Sequence, residues 1–315
     1  MKIKARLDEA INKIDRKRRT RKRRRLKYVA VLPAFITMIN GVAGFLSIYF
    51  SGSRPDLHWE PGIFGFQSIS PFTLAAYLIF IAMLADMLDG RIARLTRTTS
   101  SFGGQLDSLC DAVSFGIAPS FLMLKLVEHH IPFSALGDQG FLDILLRGVI
   151  FSAILYTMCT ILRLARFNVE NLEDESAHMY FSGIPSPGAA GVIASLIIFH
   201  QRIYPVTALE SIEYSSLINN ITVIGFPIIT ILTGLLMVSR IRFPHAANLL
   251  FGGKKSLPAF IAIFAAILFS IWNIQLVLVV SFCGFALFGF LRWVINAIFP
   301  ASFSRKDAEK AKNAK

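Results

Sequence analysis

Residues 86–111 read DMLDGRIARLTRTTSSFGGQLDSLCD, that is Asp86-x2-Asp89-Gly90-x2-Ala93-Arg94-x8-Gly103-x3-Asp107-x3-Asp111. Asp86 and Asp89 close an apolar run that begins near Pro71. Asp107 and Asp111 open another that continues through Phe121. Spacings of three and four put each pair on one helix face. Ionised carboxylates at a membrane boundary are costly, and such groups are usually paired, liganded or functional. Two pairs facing each other make a site for hard divalent cations, which take oxygen ligands.

The flanking chain supplies the membrane. Of 315 residues, 54% are hydrophobic and 28 are Phe. That is too apolar for a soluble domain and fits a polytopic, all-α transmembrane bundle. Runs long enough to cross a bilayer, roughly 17–25 residues each, fall at about 28–50, 71–90, 105–127, 142–164, 184–204, 217–238, 257–272 and 274–298. Only Trp272-Asn273-Ile274-Gln275, read as a tight interfacial turn, parts the last two. Eight spans are expected. Residues 1–27 hold 14 Lys/Arg, whereas the odd-numbered loops and the helix ends feeding them hold four: Arg54, Lys125, Arg147 and Arg202. The positive-inside rule then places both termini, and all four aspartates, on the cytoplasmic side.

Four regions follow. Residues 1–27 form a basic cytoplasmic segment in which Ile3, Leu7, Ile11 and Ile14 space an amphipathic helix. Its run Arg16 to Lys27 stands directly before a transmembrane helix. It reads as a topology anchor on anionic inner-leaflet lipid, and nucleic acid is not the expected partner. Residues 28–245 form the membrane core, 246–299 an added hairpin and 300–315 a basic cytoplasmic tail. No secretory signal is read at the start, because the first apolar run begins late and lacks a small-residue cleavage pattern. Cys110, Cys159 and Cys283 read as small buried apolar residues. His129, His130 and His200 fall on the side away from the aspartates and read as exposed loop filler.

The 86–111 stretch matches, at eight fixed identities over 26 positions, the signature of the CDP-alcohol phosphatidyltransferases, and the chain resembles that family. Further segments resemble its phosphatidylserine synthase branch: Pro33 to Ser47, with Asn40 and Gly44; Ser114 to Pro119; Arg163 to Asn168; Phe181 to Pro187; and Ser239 to Pro244. Ala34 departs from the branch, which usually carries Asn there. The resemblance covers residues of about 28 to 245 and implies residence in a prokaryotic cytoplasmic membrane. It also implies that Gly90, Ala93, Arg94, Gly103 and Asn40 hold the cytidine diphosphate part of the donor, and that Asp111 is the base.

The residues fit that chemistry on their own terms. A pyrophosphate-linked donor brings negative charge, which two divalent ions, Mg²⁺ or Mn²⁺, neutralise while polarising phosphorus. Asp86, Asp89, Asp107 and Asp111 supply the oxygen ligands. An alcohol nucleophile needs a base, and Asp111 lies one turn deeper in its helix than Asp107. Gly90 leaves room for close approach of a flat ligand, and Arg94 suits a phosphate.

The acceptor must be read from other residues. A carboxylate-bearing acceptor such as L-serine calls for a planar cation, and Arg163, Arg166, Arg240 and Arg242 all fall at cytoplasmic span ends. Arg163 and Arg166 are the chosen pair, Arg240 the third. Asn168 is read as orienting an arginine or meeting the serine ammonium. The expected reaction joins CDP-diacylglycerol and L-serine by direct displacement. The alternatives are another acceptor (glycerol 3-phosphate, inositol phosphate or choline), a divalent-cation transporter, or a non-catalytic scaffold. In the last span Gly284, Ala286 and Gly289 supply small residues for close packing of a homodimer.

Overall fold

The computed structural model describes residues 33–53, 69–96, 101–131, 139–173, 181–203, 221–239, 241–243 and 257–298. The basic segment 1–27, Arg240 and the tail 300–315 lie outside them. Helix α1 spans Pro33–Ser51 and α2 spans Pro71–Thr96. Helix α3, Ser101–Asp111, runs through a π-helical turn, Ala112–Ile117, into α4, Ala118–His130. Next come α5, Gln139–Glu173, and α6, Ser186–Ile203. A second π turn, Ile221–Gly225, leads into α7, Phe226–Val238, and the described chain ends with α8, Leu257–Ile298.

The fold is an all-α integral-membrane bundle. Six stretches among the described residues are long and apolar enough to cross a bilayer: Pro33–Ser51, Pro71–Ala93, Phe102–His130, Leu142–Val169, Ile221–Val238 and Asn273–Ile295. The expected fifth span is α6, whose polar ends (Ser186-Pro187 and His200-Gln201-Arg202) leave it outside that set. It lies in the middle of the bundle against α2, α4, α7 and α8. Ala189, Ala190, Ala194, Ile197 and Ile198 are fully buried there. The expected seventh and eighth spans form α8, broken at Asn273, where φ −142° and ψ 62° leave the helical region. The break falls in the expected turn.

Of the small residues in the last span, Ala286 and Gly289 are buried within this chain and Gly284 is exposed, so the three are not all open to a second copy. The buried side of α8 packs on α6, where a Cβ on Gly191 would strike the Phe282 ring. Nor are the histidines all loop filler. Buried His130 packs edge-on against His200, ring centroids 4.9 Å apart, and His200 Nε2 lies 2.8 Å from the Thr222 hydroxyl.

Prolines explain the π turns. Pro119 has no N–H to give the carbonyl four residues back, and its ring crowds that group. That carbonyl belongs to Phe115, inside the first π turn, and it accepts instead from the Tyr156 hydroxyl of α5 at 3.0 Å. Ser120 donates to the Gly116 carbonyl at 2.9 Å. Pro227 stands in the same relation to Val223 in the second π turn. A π turn directly after Asp111 re-aims the helix at that aspartate.

Two segments singled out in the sequence meet each other. Strand β1, Phe181–Ser182, pairs antiparallel with β2, Arg242–Phe243. Gly183 N–H donates to the Ile241 carbonyl at 2.8 Å, and Ile184 N–H to Leu236 at 3.2 Å. Gly183 has φ +83°, and a Cβ there would press on the Leu236–Met237 backbone. Gly183→Ala is therefore expected to cost at least about 1–3 kcal/mol and to lower the melting temperature in detergent by several degrees. An unchanged melting temperature would contradict this packing.

Candidate metal centre and active site

Helix α2 does not end at Asp89, where the sequence suggested, but continues to Thr96. The residues after Gly90 (Arg91 to Leu95) are good helix formers, so the glycine is carried inside the helix. Asp86 and Asp89 thus project from α2, and Asp107 and Asp111 from α3. Helix α5 is longer than its expected span. Its 35 residues cover roughly 50 Å at 1.5 Å each, well beyond a hydrocarbon core of about 30 Å. The extra length keeps Arg163, Arg166 and Asn168 on one rigid rod at the aspartate end.

Asp86, Asp89 and Asp107 converge, with one oxygen of each within 4.8 Å of the others. Asp89 is only 4% exposed. Its Oδ2 and Oδ1 of Asp107 are buried without a hydrogen-bond partner. A buried acceptor left unmade costs about 1–3 kcal/mol, more when charged, and three carboxylates at this spacing repel one another. The orphaned oxygens and the all-oxygen donor set fit a hard divalent cation. Asp111 stands outside the trio, 7% exposed. Its Oδ1 accepts from Asn40 Nδ2 of α1 at 2.9 Å.

The remaining expected residues are placed as follows. Arg163 lies within electrostatic reach of Asp86 and Asp111. Its Nη1 donates to Ser186 Oγ at 2.7 Å, and its Nε is buried without a partner. Arg166 is exposed on α5. Asn168 Nδ2 donates to Ser108 Oγ at 2.9 Å, which braces the α3 turn between Asp107 and Asp111. Ala93 and Gly103 are half-buried on α2 and α3. The Arg94 side chain and Arg240 lie outside the described residues. Gly90 is exposed, and a Cβ added there would meet nothing within 4 Å.

Sequence reasoning missed two contributors. Thr37 of α1 lies beside the Asp89 carboxylate while its hydroxyl donates to the Pro33 carbonyl at 3.0 Å, and Ser114 Oγ donates to the Asn40 carbonyl at 2.9 Å. A signal was present in the polar and small residues (Thr37, Asn40, Gly41, Gly44, Ser47) recurring at three-to-four spacing along an otherwise apolar span.

Residues 30–225 match the CDP-alcohol phosphatidyltransferase family, and the chain belongs to that family. It is similar to proteins named CDP-diacylglycerol--serine O-phosphatidyltransferase in several organisms. The Methanocaldococcus jannaschii relative is 30% identical over 72% of this chain and 80% of its own length. The Helicobacter pylori relative is 32% identical over 73% of this chain and 83% of its own. The Saccharomyces cerevisiae relative is 34% identical over 51% of each.

The open space at Gly90 makes a sharp expectation. Glycine inside a helix costs about 1 kcal/mol relative to a good helix former, and among the described residues nothing crowds the place its side chain would take. Gly90→Leu should leave the melting temperature unchanged or raised. It should weaken CDP binding, measured by calorimetry, by at least about 10-fold, near 1.4 kcal/mol. Unaltered CDP affinity would show that the space is not used by the nucleotide.

Proposed function

We infer that the chain transfers the phosphatidyl group of CDP-diacylglycerol to the hydroxyl of L-serine, giving phosphatidylserine and CMP. The observation that carries this reading is the convergence of Asp86, Asp89 and Asp107 from α2 and α3, with Asp111 next to them on α3, in a chain of this family. The names of its relatives supply the acceptor. The half-buried Arg163, with an unpartnered Nε, gives that acceptor a physical reason, because a carboxylate wants a guanidinium.

In the reading proposed here, Asp86, Asp89 and Asp107, with Asp111 beside them, hold two divalent ions, Mg²⁺ or Mn²⁺. Bound there, such ions would neutralise the pyrophosphate and, as Lewis acids toward its oxygens, make phosphorus more electrophilic. The residues do the rest. Gly90, Ala93, Arg94 and Gly103 receive the cytidine diphosphate. Arg163 orients the serine carboxylate, with Arg166, and Arg240 from the sequence alone, as further acceptor-binding residues. Asn168 keeps the Asp107–Asp111 turn in place through Ser108. Asp111 takes the serine hydroxyl proton, and the oxygen attacks the phosphorus that carries diacylglycerol. The bond to CMP breaks, CMP leaves with the electron pair, and the proton passes from Asp111 to solvent. No nucleophilic Ser, Cys or His is paired with a base among the described residues near this site, so direct displacement is the expected course. The basic residues of 1–27 and of the tail orient the aspartate end to the cytoplasm.

The test is CMP release by purified protein in detergent with CDP-diacylglycerol and Mn²⁺ or Mg²⁺, comparing L-serine, glycerol 3-phosphate, inositol phosphate and choline. Serine-dependent release should fall by about 10²–10⁴-fold in Asp111→Asn, the range for a general base. Release driven by another acceptor would keep the chemistry and overturn the role of Arg163. Within the serine reaction, Arg163→Lys should raise the KM for serine by about 10-fold, since charged hydrogen bonds contribute about 1.5–3 kcal/mol. It should leave the KM for the donor unmoved. A rise in the donor KM alone would assign Arg163 to the phosphates.

A further inference from the structure

Helix α1 contributes none of the four aspartates, yet it touches both helices that carry them. Its Thr37 lies beside Asp89 of α2, and one turn on, its Asn40 donates to Asp111 of α3. We propose that Asn40 is a positioning residue for the transfer reaction. Its side-chain amide holds one oxygen of Asp111, so that the other is presented to the acceptor hydroxyl. This rests on the reading of Asp111 as the base.

Several observations converge on that role. The orientation of the amide is fixed by chemistry, since only its NH₂ can face a carboxylate that accepts and does not donate. Asn40 is attached at two points, because the Ser114 hydroxyl donates to its carbonyl one turn beyond Asp111. The close approach that allows both bonds is built in. A Cβ on Gly44 would lie 2.7 Å from Ser114 Cα, and one on Gly41 would lie 2.9 Å from Cys110 Sγ. Glycine at these two places lets the α1 and α3 backbones draw together. Asn40 is fully buried and its Oδ1 has no partner. A packing role alone would favour an apolar side chain, because an unmade buried acceptor costs about 1–3 kcal/mol.

This role differs measurably from binding the cytidine diphosphate, which the family resemblance suggested for the same residue. Removing a side chain that grips the nucleotide raises the donor KM. Removing one that only positions the base lowers kcat and leaves ground-state binding alone. The two roles also differ in how they combine with Asp111. A residue acting through Asp111 has nothing further to lose once Asp111 is replaced.

The experiment is a double-mutant cycle of Asn40→Ala and Asp111→Asn, with kcat, both KM values and CDP affinity by calorimetry. Asn40→Leu, branched at the same carbon as Asn but larger and without a donor, replaces Asn40→Ala if that variant does not fold. Asn40→Ala should lower kcat about 10- to 100-fold, the range for groups that orient a functional side chain. Both KM values and the CDP affinity should stay within about twofold, and the loss should vanish in the Asp111→Asn background. Multiplying losses, or a fall in CDP affinity, would overturn the positioning role while leaving the transfer reaction intact. An inactive wild-type protein would overturn the reaction itself, and this proposal with it.

Discussion

Mutual repulsion among buried carboxylates is the constraint on which this structure turns. Asp86, Asp89 and Asp107 bring oxygens within 4.8 Å of one another, and two of those side chains have buried oxygens with no hydrogen-bond partner. Left to itself, such a trio would splay into water or take up protons. The bundle prevents the first by making each aspartate part of a rigid helix packed on its neighbours. The site is held in an arrangement that a divalent cation satisfies and that no apolar contact explains.

The devices that hold it are mostly small. Gly41 and Gly44 let α1 close on α3, and Asn40 then donates to Asp111. Pro119 forces a π turn directly behind Asp111, and the carbonyl it frees is taken by Tyr156 of α5. The same α5 carries Arg163 to the aspartate end and Asn168 to Ser108. Gly183, with its positive φ, lets the segment before α6 lie against the end of α7. That segment leads to Ser186, the partner of Arg163. Sequence segments that look unrelated along the chain are thus the walls of one site.

The aspartates and the membrane class were legible because their signals are periodic and local. Spacings of three and four fix a helix face, and long apolar runs fix spans. The limits of those signals mark what was missed. Helix α2 passes through Gly90, since one glycine among good helix formers does not end a helix. The polar ends of α6 lower its hydropathy below that of the other spans, but that it packs on four neighbours was visible only in three dimensions. His130 was placed correctly along the chain but not in space, because its partner His200 is seventy residues away in sequence. The hold of Asn40 on Asp111 is likewise a contact between distant helices. Pro119 was visible, but the destination of the Phe115 carbonyl required α5 in place.

Functional specificity follows the same division. The family motif accounts for the donor half, whereas the proposed reading of the acceptor rests on one half-buried guanidinium, Arg163, whose Nε has no partner. All of it depends on the aspartate trio being a cation site. The most direct measurement is therefore Mn²⁺ binding to the purified protein by electron paramagnetic resonance titration, in wild type and in Asp86→Asn, Asp89→Asn and Asp107→Asn. Saturable binding is expected, weakened by at least about 10-fold in each variant, as losses around metal ligands are. Wild-type affinity retained in all three, or no specific binding in the wild type, would contradict a cation site at these aspartates.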